Sequence, residues 1–351
     1  MRLLKKINDT FRITCFSLLP LVVLCVCFEL GVRAFYQETN SPLFRQFVNP
    51  EWRSSRVCVA DKDLFWLFRP DTTINGINQK EGSYRIDINR AGFRGPNWDD
   101  PAGQGAVRMM FAGDSCVFGW DAPDGKSYPD RLLHYFSEDH PNKRFHSFRT
   151  AVPGFSSYQV KVATEKYLPL YKPNFLVVWC GTNDALPLVG YPDSEMADVP
   201  FFSPISVRLR EEVHAVRWLQ DRVIGVRPSG ETTQILPPDD VGPPRVTLEE
   251  FKTNFDSVLE MCRECDTKLA VVTRQDLRPD PPVKAYNKVL REWAKSQSVP
   301  VAEVAGAFAS AEDPRSLYAK PDLDYVHPNP DGYDLVARIV YNAVKEAGWP
   351  E

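Results

Sequence analysis

From residue 108 onward the chain alternates short apolar runs with longer segments in which apolar residues recur at helical spacing. The runs fall at 108–112, 144–151, 175–180, 268–273 and 299–304. Runs this short, bounded by turn residues, predict strands. Strands alternating with helices predict a parallel sheet covered on both faces, a three-layer α/β/α sandwich in the α/β class. In such a sheet the ligand site lies at the carboxyl ends of the strands. Upstream, Tyr84, Ile86 and Ile88 alternate with polar residues, the period of a half-buried strand, so residues 36–105 predict a small β-containing extension packed on the main domain. The main domain is expected to span 106–351, interrupted by a proline-rich insertion at 186–245 that carries one amphipathic helix near 207–223.

Residues 13–32, ITCFSLLPLVVLCVCFELGV, carry one charge, Glu29. A helix of this length, rising about 1.5 Å per residue, reaches across the ~30 Å hydrocarbon core of a bilayer. Arg2, Lys5, Lys6 and Arg12 precede it, and only Arg33 and Arg45 follow closely. The positive-inside rule then predicts a transmembrane signal anchor, with residues 1–12 as a cytoplasmic tail and the catalytic part extracytoplasmic, periplasmic or at the cell surface. A cleaved signal peptide is the competing reading, because Val32-Arg33-Ala34 loosely fits a processing site; the length of the apolar stretch and its charged boundary favour the anchor.

Composition narrows the function classes. With 351 residues, 43% hydrophobic and 25% charged, the chain can build a substantial core and is neither disordered nor polytopic. Lysine and arginine total 42 against 46 acidic residues, a net charge of −4, which argues against a nucleic-acid partner. Of eight cysteines, Cys58, Cys116, Cys180, Cys262 and Cys265 lie outside the apolar segment, and none has the spacing of a zinc site. Cys262 and Cys265 fall on a helix predicted to start at the capping box Thr247-Leu-Glu-Glu250, which reads as two residues one turn apart rather than a redox motif.

Chemistry gathers where the strands end. The first run leads into Gly113-Asp114-Ser115, which places a serine hydroxyl and its backbone N–H at the sheet edge. The second ends at Val152-Pro153-Gly154, where a glycine lets the backbone approach a substrate and offer a second N–H. The third ends in Gly181-Thr182-Asn183-Asp184, and the Asn183 amide supplies a candidate third donor. Beyond the fifth run stands Asp324-Tyr-Val-His327, with a spacing that lets the carboxylate orient the imidazole through one ring nitrogen and leaves the other to accept the serine proton. Ser115, Asp324 and His327 are therefore the catalytic candidates, and the N–H groups of Ser115 and Gly154 with Asn183 the candidate oxyanion hole. Asp322 is an alternative acid, but it stands five residues from His327. Asp114 and Asp184 read as residues that hold loops. Phe118, Trp120, Tyr128, Trp179 and Tyr191 flank the strand ends mainly as core aromatics, although Trp120 or Tyr191, if exposed, could stack on a sugar ring.

Taken together, these blocks resemble the SGNH hydrolases, also called GDSL esterases and lipases. The resemblance runs from about residue 108 to 349 and matches all four of that family's blocks. It implies a flavodoxin-like five-stranded parallel sheet, Ser115 as nucleophile, and an oxyanion hole made by Ser115, Gly154 and Asn183. The Gly-x-Ser-x-Gly elbow of α/β-hydrolases is absent. The second block departs from the family in having no asparagine shortly before its glycine, reading Arg149-Thr-Ala-Val-Pro-Gly154. The apolar anchor followed by Asn89-Arg-Ala-Gly-Phe-Arg-Gly95 is similar to a group of membrane-anchored bacterial members.

The expected function is that of a serine esterase needing no cofactor or metal, which hydrolyses an O-acyl ester, acetyl above all, of an envelope carbohydrate through an acyl-enzyme. An O-acyltransferase acting on a surface polysaccharide, a lipid esterase and a non-catalytic carbohydrate-binding protein are the alternatives.

Overall fold

The computed structural model describes residues 2–35, 57–78, 82–100, 103–187, 192–196, 213–215, 218 and 243–350. Five parallel strands form the central sheet: β5 (Val107–Gly113), β6 (Phe145–Ala151), β7 (Phe175–Trp179), β8 (Lys268–Val272) and β9 (Val301–Ala302), in the order β6-β5-β7-β8-β9. All five predicted runs are strands. The fifth is shorter than 299–304, because Val299 and Val304 are buried without pairing and only Val301 and Ala302 lie beside β8. Every residue of β7 is buried, as is β5 from Met109 to Gly113, which is why these strands read as continuous apolar runs rather than alternating ones.

Helices cover both faces, and α5 (Asp193–Met196) and α8 (Val304–Ala309) are short. On one, α3 (Tyr128–Asp139) packs against the C-terminal helix α9 (Pro330–Glu346). On the other, α4 (Ser157–Tyr171) packs against α6 (Leu248–Glu264), and α6 against α7 (Val283–Gln297). Helix α6 begins at the predicted capping box, where Thr247 Oγ1 accepts from Glu250 N and Glu250 Oε2 accepts from Thr247 N. It carries Cys262 on its buried side with Cys265 at its end, and both thiols are free. Cys116 and Cys180 are buried packing residues.

Because β5 has β6 on one side and β7 on the other, it is the point at which the winding reverses. In register, Gly113 lies beside both Ala151 and Trp179, so the loops that follow all three strands leave the sheet together.

Two antiparallel hairpins precede the sheet: β1 (Cys58–Asp61) with β2 (Phe65–Phe68), and β3 (Thr72–Asn78) with β4 (Gly82–Ile88). Ile86 and Ile88 are buried, in keeping with their alternation. In the Asn89 to Gly95 turn, Asn89 Oδ1 accepts from Ala91 N and Phe93 N, and a side chain on Gly92 would run into the Phe68 carbonyl oxygen at 2.7 Å. Phe93 then packs edge-on against Phe148 and Tyr167. Arg94 Nη1 donates to Gly119 O at 2.9 Å, and Arg94 Nη2 donates to Asp124 Oδ1 at 2.7 Å. The extension is thus bolted to the loop that follows Ser115.

The N-terminal segment is helical over α1 (Arg2–Phe35), which extends beyond the expected 13–32 on both sides. Among the described residues, no helix is long and apolar enough to cross a membrane, so the structure supplies the helix and not the span. Most of the 186–245 insertion, including nearly all of 207–223 and Tyr191, lies outside the described residues. Its two ends meet: Pro187 bridges Pro244, and Arg245 N donates to Leu186 O at 2.9 Å.

Candidate active site

Ser115 opens the four-residue helix α2 (Ser115–Phe118) directly after β5. Asp114 caps it, with Oδ1 accepting from Cys116 N at 3.0 Å, and Gly119 ends it in the left-handed region at φ 86°. Gly113 must lack a side chain, since a Cβ there would collide with the Trp179 carbonyl and Val117. These constraints push the serine out at the sheet edge while leaving it largely buried, at 7% exposure.

On the far side of the site, Asp324 Oδ1 accepts from the backbone N–H of Val326 at 3.0 Å and of His327 at 3.1 Å, which folds the Asp-x-x-His segment into a tight turn. His327 Nδ1 donates to Asp324 Oδ2 at 2.6 Å, and Ser115 Oγ donates to His327 Nε2 at 2.6 Å. With a carboxylate as the partner of Nδ1, the ring proton belongs on that nitrogen. Burial pushes the Asp324 carboxyl up, but the facing His327 ring, its hydrogen bond and the two backbone N–H groups outweigh this and hold it below the ordinary carboxylate range. Asp322, the alternative acid, is instead ion-paired with Arg315 at the surface. Trp120 stacks on the His327 ring with centroids 5.2 Å apart.

The candidate oxyanion donors divide into two kinds. The Ser115 and Gly154 N–H groups donate to no acceptor among the described residues, and Gly154 sits at φ 87°. Asn183 Nδ2 instead donates to Phe155 O at 2.9 Å and to Asp114 Oδ2 at 3.3 Å. Both amide hydrogens are engaged, so a substrate oxygen would have to displace the longer contact to Asp114.

A family model, GDSL-like Lipase/Acylhydrolase, matches residues 111–335, well over half of the chain. The chain belongs to this family. It is accordingly a serine hydrolase of the SGNH superfamily that acts on esters. No curated protein matches it. Similar solved structures include a lipase/acylhydrolase from Enterococcus faecalis, at 15% identity over 68% of this chain and 96% of that one, TM-score 0.44. A putative GDSL-like lipase from Parabacteroides merdae is similar at 14% identity over 68% and 95%, TM-score 0.45. The acetyl xylan esterase AlAXEase is similar at 14% identity over 68% and 100%, TM-score 0.41.

Behind the GDSL serine lies a charge that the family blocks do not contain. Arg274, fully buried after β8, brings Nη2 within 3.4 Å of Asp114 Oδ2, donates from Nε to Thr182 Oγ1 at 3.0 Å, and lies over the Trp179 ring at 4.8 Å. Burial lowers the pKa of this guanidinium, but Asp114 and the neighbouring thiols more than reverse the effect, so it stays charged. Arg274 ties the Gly-Asp-Ser block to the Gly-Thr-Asn block alongside the Asn183–Asp114 contact. The signal for it was its place at the end of the fourth strand, the one strand end that carries no family motif. Asp121 was also missed. It is buried beside the site at φ 63°, and burial pushes its carboxyl up to about 6 against the pull of Lys320 and His327. Of the flanking aromatics, Phe118, Tyr128 and Trp179 are fully buried core, and Trp120 is partly exposed.

Asp184 holds a loop, as expected. Both of its oxygens accept from Ser157 N, at 3.0 and 3.1 Å. Burial nevertheless pushes this carboxyl up to about 7, against the Ser157 hydrogen bonds and the Arg245 charge that pull it down. The folded protein therefore binds a proton here more tightly than the unfolded chain, whose carboxyl titrates near 3.8. Stability from this group is complete below pH ~4 and is lost as the pH rises toward 7. Asp184→Asn keeps an oxygen for Ser157 N–H and removes the titration. Thermal melts from pH 4 to 8 should show the variant gaining on wild type across that window; parallel curves would mean that Asp184 titrates normally.

Proposed function

We propose that this acylhydrolase cleaves an O-acyl ester, acetyl above all, on an envelope carbohydrate through an acyl-enzyme at Ser115. The observation that carries the reading is the unbroken relay from Asp324 through His327 to Ser115, at 2.6 Å and 2.6 Å. Ser115 Oγ attacks the ester carbonyl while His327 Nε2 takes its proton, and Asp324 steadies the imidazolium that results. Negative charge gathers on the former carbonyl oxygen, where the N–H groups of Ser115 and Gly154 meet it. His327 then returns the proton to the departing sugar oxygen. Water repeats the sequence on the acyl-serine, with His327 again as base and Ser115 as leaving group.

The rim supports a sugar as the alcohol part. Tyr325, next to Asp324 in the chain, is 37% exposed, and an exposed aromatic ring suits the apolar face of a pyranose. Residues 13–32 are the membrane anchor in this reading, with the hydrolase domain outside the membrane and close to envelope polymers. The large apolar side chains from Leu18 to Leu30 support it, being exposed.

The test compares initial rates of the full-length chain on p-nitrophenyl acetate and octanoate, together with acetate release from an O-acetylated polysaccharide. The acetyl ester is expected to be favoured in kcat/KM by about tenfold or more, since a pocket shaped for a short acyl group gains little from added methylenes and must accommodate them. Faster octanoate cleavage would replace the carbohydrate reading with a lipid one. Acetyl turnover that appears only on adding a sugar acceptor would make the protein a transferase.

A further inference from the structure

The loop that carries Gly154 has three successive carbonyls, and each is taken by a side chain from a different part of the chain. Trp66 Nε1 donates to Pro153 O at 3.1 Å, Arg245 Nη1 to Gly154 O at 2.9 Å, and Asn183 Nδ2 to Phe155 O at 2.9 Å. Only the last comes from a family block. Trp66 belongs to β2 in the N-terminal extension, and Arg245 closes the insertion after β7.

Peptide geometry gives these bonds a consequence. Pro153 C=O and Gly154 N–H share one planar trans unit and point in opposite directions, so holding the oxygen aims the N–H. Gly154 C=O belongs to the next unit, which Arg245 holds. Between two fixed planes the φ and ψ of Gly154 are set, at a residue that would otherwise rotate freely. The holders are themselves held. Arg245 Nη2 donates to Asp193 Oδ2 at 2.8 Å and to Gln159 Oε1 at 3.2 Å, and Arg245 Nε donates to Asp193 Oδ1 at 3.2 Å. The guanidinium lies over the Trp66 ring at 5.9 Å, and both residues are buried.

We infer that Trp66 and Arg245 are positioning residues for the oxyanion hole, which fix the two peptide planes around Gly154 so that its N–H faces the ester carbonyl oxygen. They supply from outside the family blocks the support that the second block, with no asparagine before its glycine, does not carry. The inference rests on the proposed role of Ser115.

The experiment uses full-length Trp66→Phe and Arg245→Lys, each assayed on p-nitrophenyl acetate and on its thiono analogue. Sulfur is a weaker hydrogen-bond acceptor than oxygen, so the ratio of the two rates reads the oxyanion donors. Trp66→Phe keeps the ring packing and removes one N–H; Arg245→Lys keeps the charge and loses the fork. Oxoester kcat should fall by about tenfold in the first and up to about a hundredfold in the second, with KM near wild type and the preference for oxygen over sulfur reduced in both. Folded variants that hydrolyse both esters at the wild-type ratio, even at lower rates, would show a merely structural role and overturn the inference. If one variant does not fold, the other decides by the same ratio. Ser115→Ala in parallel separates the layers: turnover surviving there removes the underlying reading, whereas its loss with an unchanged ratio in the other two removes only this one.

Discussion

Ser115→Ala is expected to lower kcat on p-nitrophenyl acetate by about 10^5-fold or more, with KM changed little. The substitution removes one oxygen, whose described partner is His327 Nε2, and leaves the Asp324–His327 pair, the Gly154 turn and the α2 backbone in place. Such a loss must come from the missing nucleophile, because the remaining donors still bind the ester and water remains a far poorer attacker at neutral pH. Stability should hardly move, since alanine fits the space and suits the first turn of a helix. Paired measurements of kcat and melting temperature check both halves. A variant that keeps a tenth of the wild-type rate would exclude Ser115 as nucleophile.

Asp324→Asn should cost about 10^3- to 10^4-fold in kcat while leaving the fold intact. Asp324 Oδ1 is committed to the N–H groups of Val326 and His327, and Asn can keep that oxygen in place. Its NH2 then faces His327 Nδ1, where the carboxylate had been. Donor facing donor drives the ring proton to Nε2, the atom that must accept from Ser115, and the general base is lost. The expected signature is a large fall in kcat at every pH from 6 to 9 with an ordinary melting temperature. A rate within tenfold of wild type across that range would mean that Asp324 does not hold the ring in its working tautomer.

Much of this was legible in the sequence because the responsible signals are local. A buried parallel strand is a short apolar run, and residues 107–113 and 175–179 show it plainly. Ser115, Gly154, Asn183 and the Asp324/His327 pair each stand just past a strand or in a short turn, so their convergence follows once the strands are placed. What escaped are contacts whose two halves lie far apart. Arg274 meets Asp114 across the sheet, and Arg245 reaches Gly154 from 91 residues away. Neither has a neighbour in sequence that forecasts it, and a lone arginine reads as surface until burial is known. The second hydrogen bond of Asn183, to Phe155 O, depends on how one loop seats on another and has no sequence pattern either. The β-containing character of the extension shows in the alternation of Tyr84, Ile86 and Ile88. Its grip on the site through Arg94 and Trp66 was not, because single donors to backbone carbonyls leave no periodicity.

The central claim is that Ser115 is the residue acylated during turnover, and labelling tests it most directly. The full-length protein is treated with a fluorophosphonate and the modified peptide is located by mass spectrometry, with and without a saturating acetyl ester present. The account predicts a single adduct on Ser115, slowed by the ester and absent from Ser115→Ala and from protein denatured beforehand. A folded, ester-hydrolysing protein that takes no label, or takes it on another residue, would contradict it.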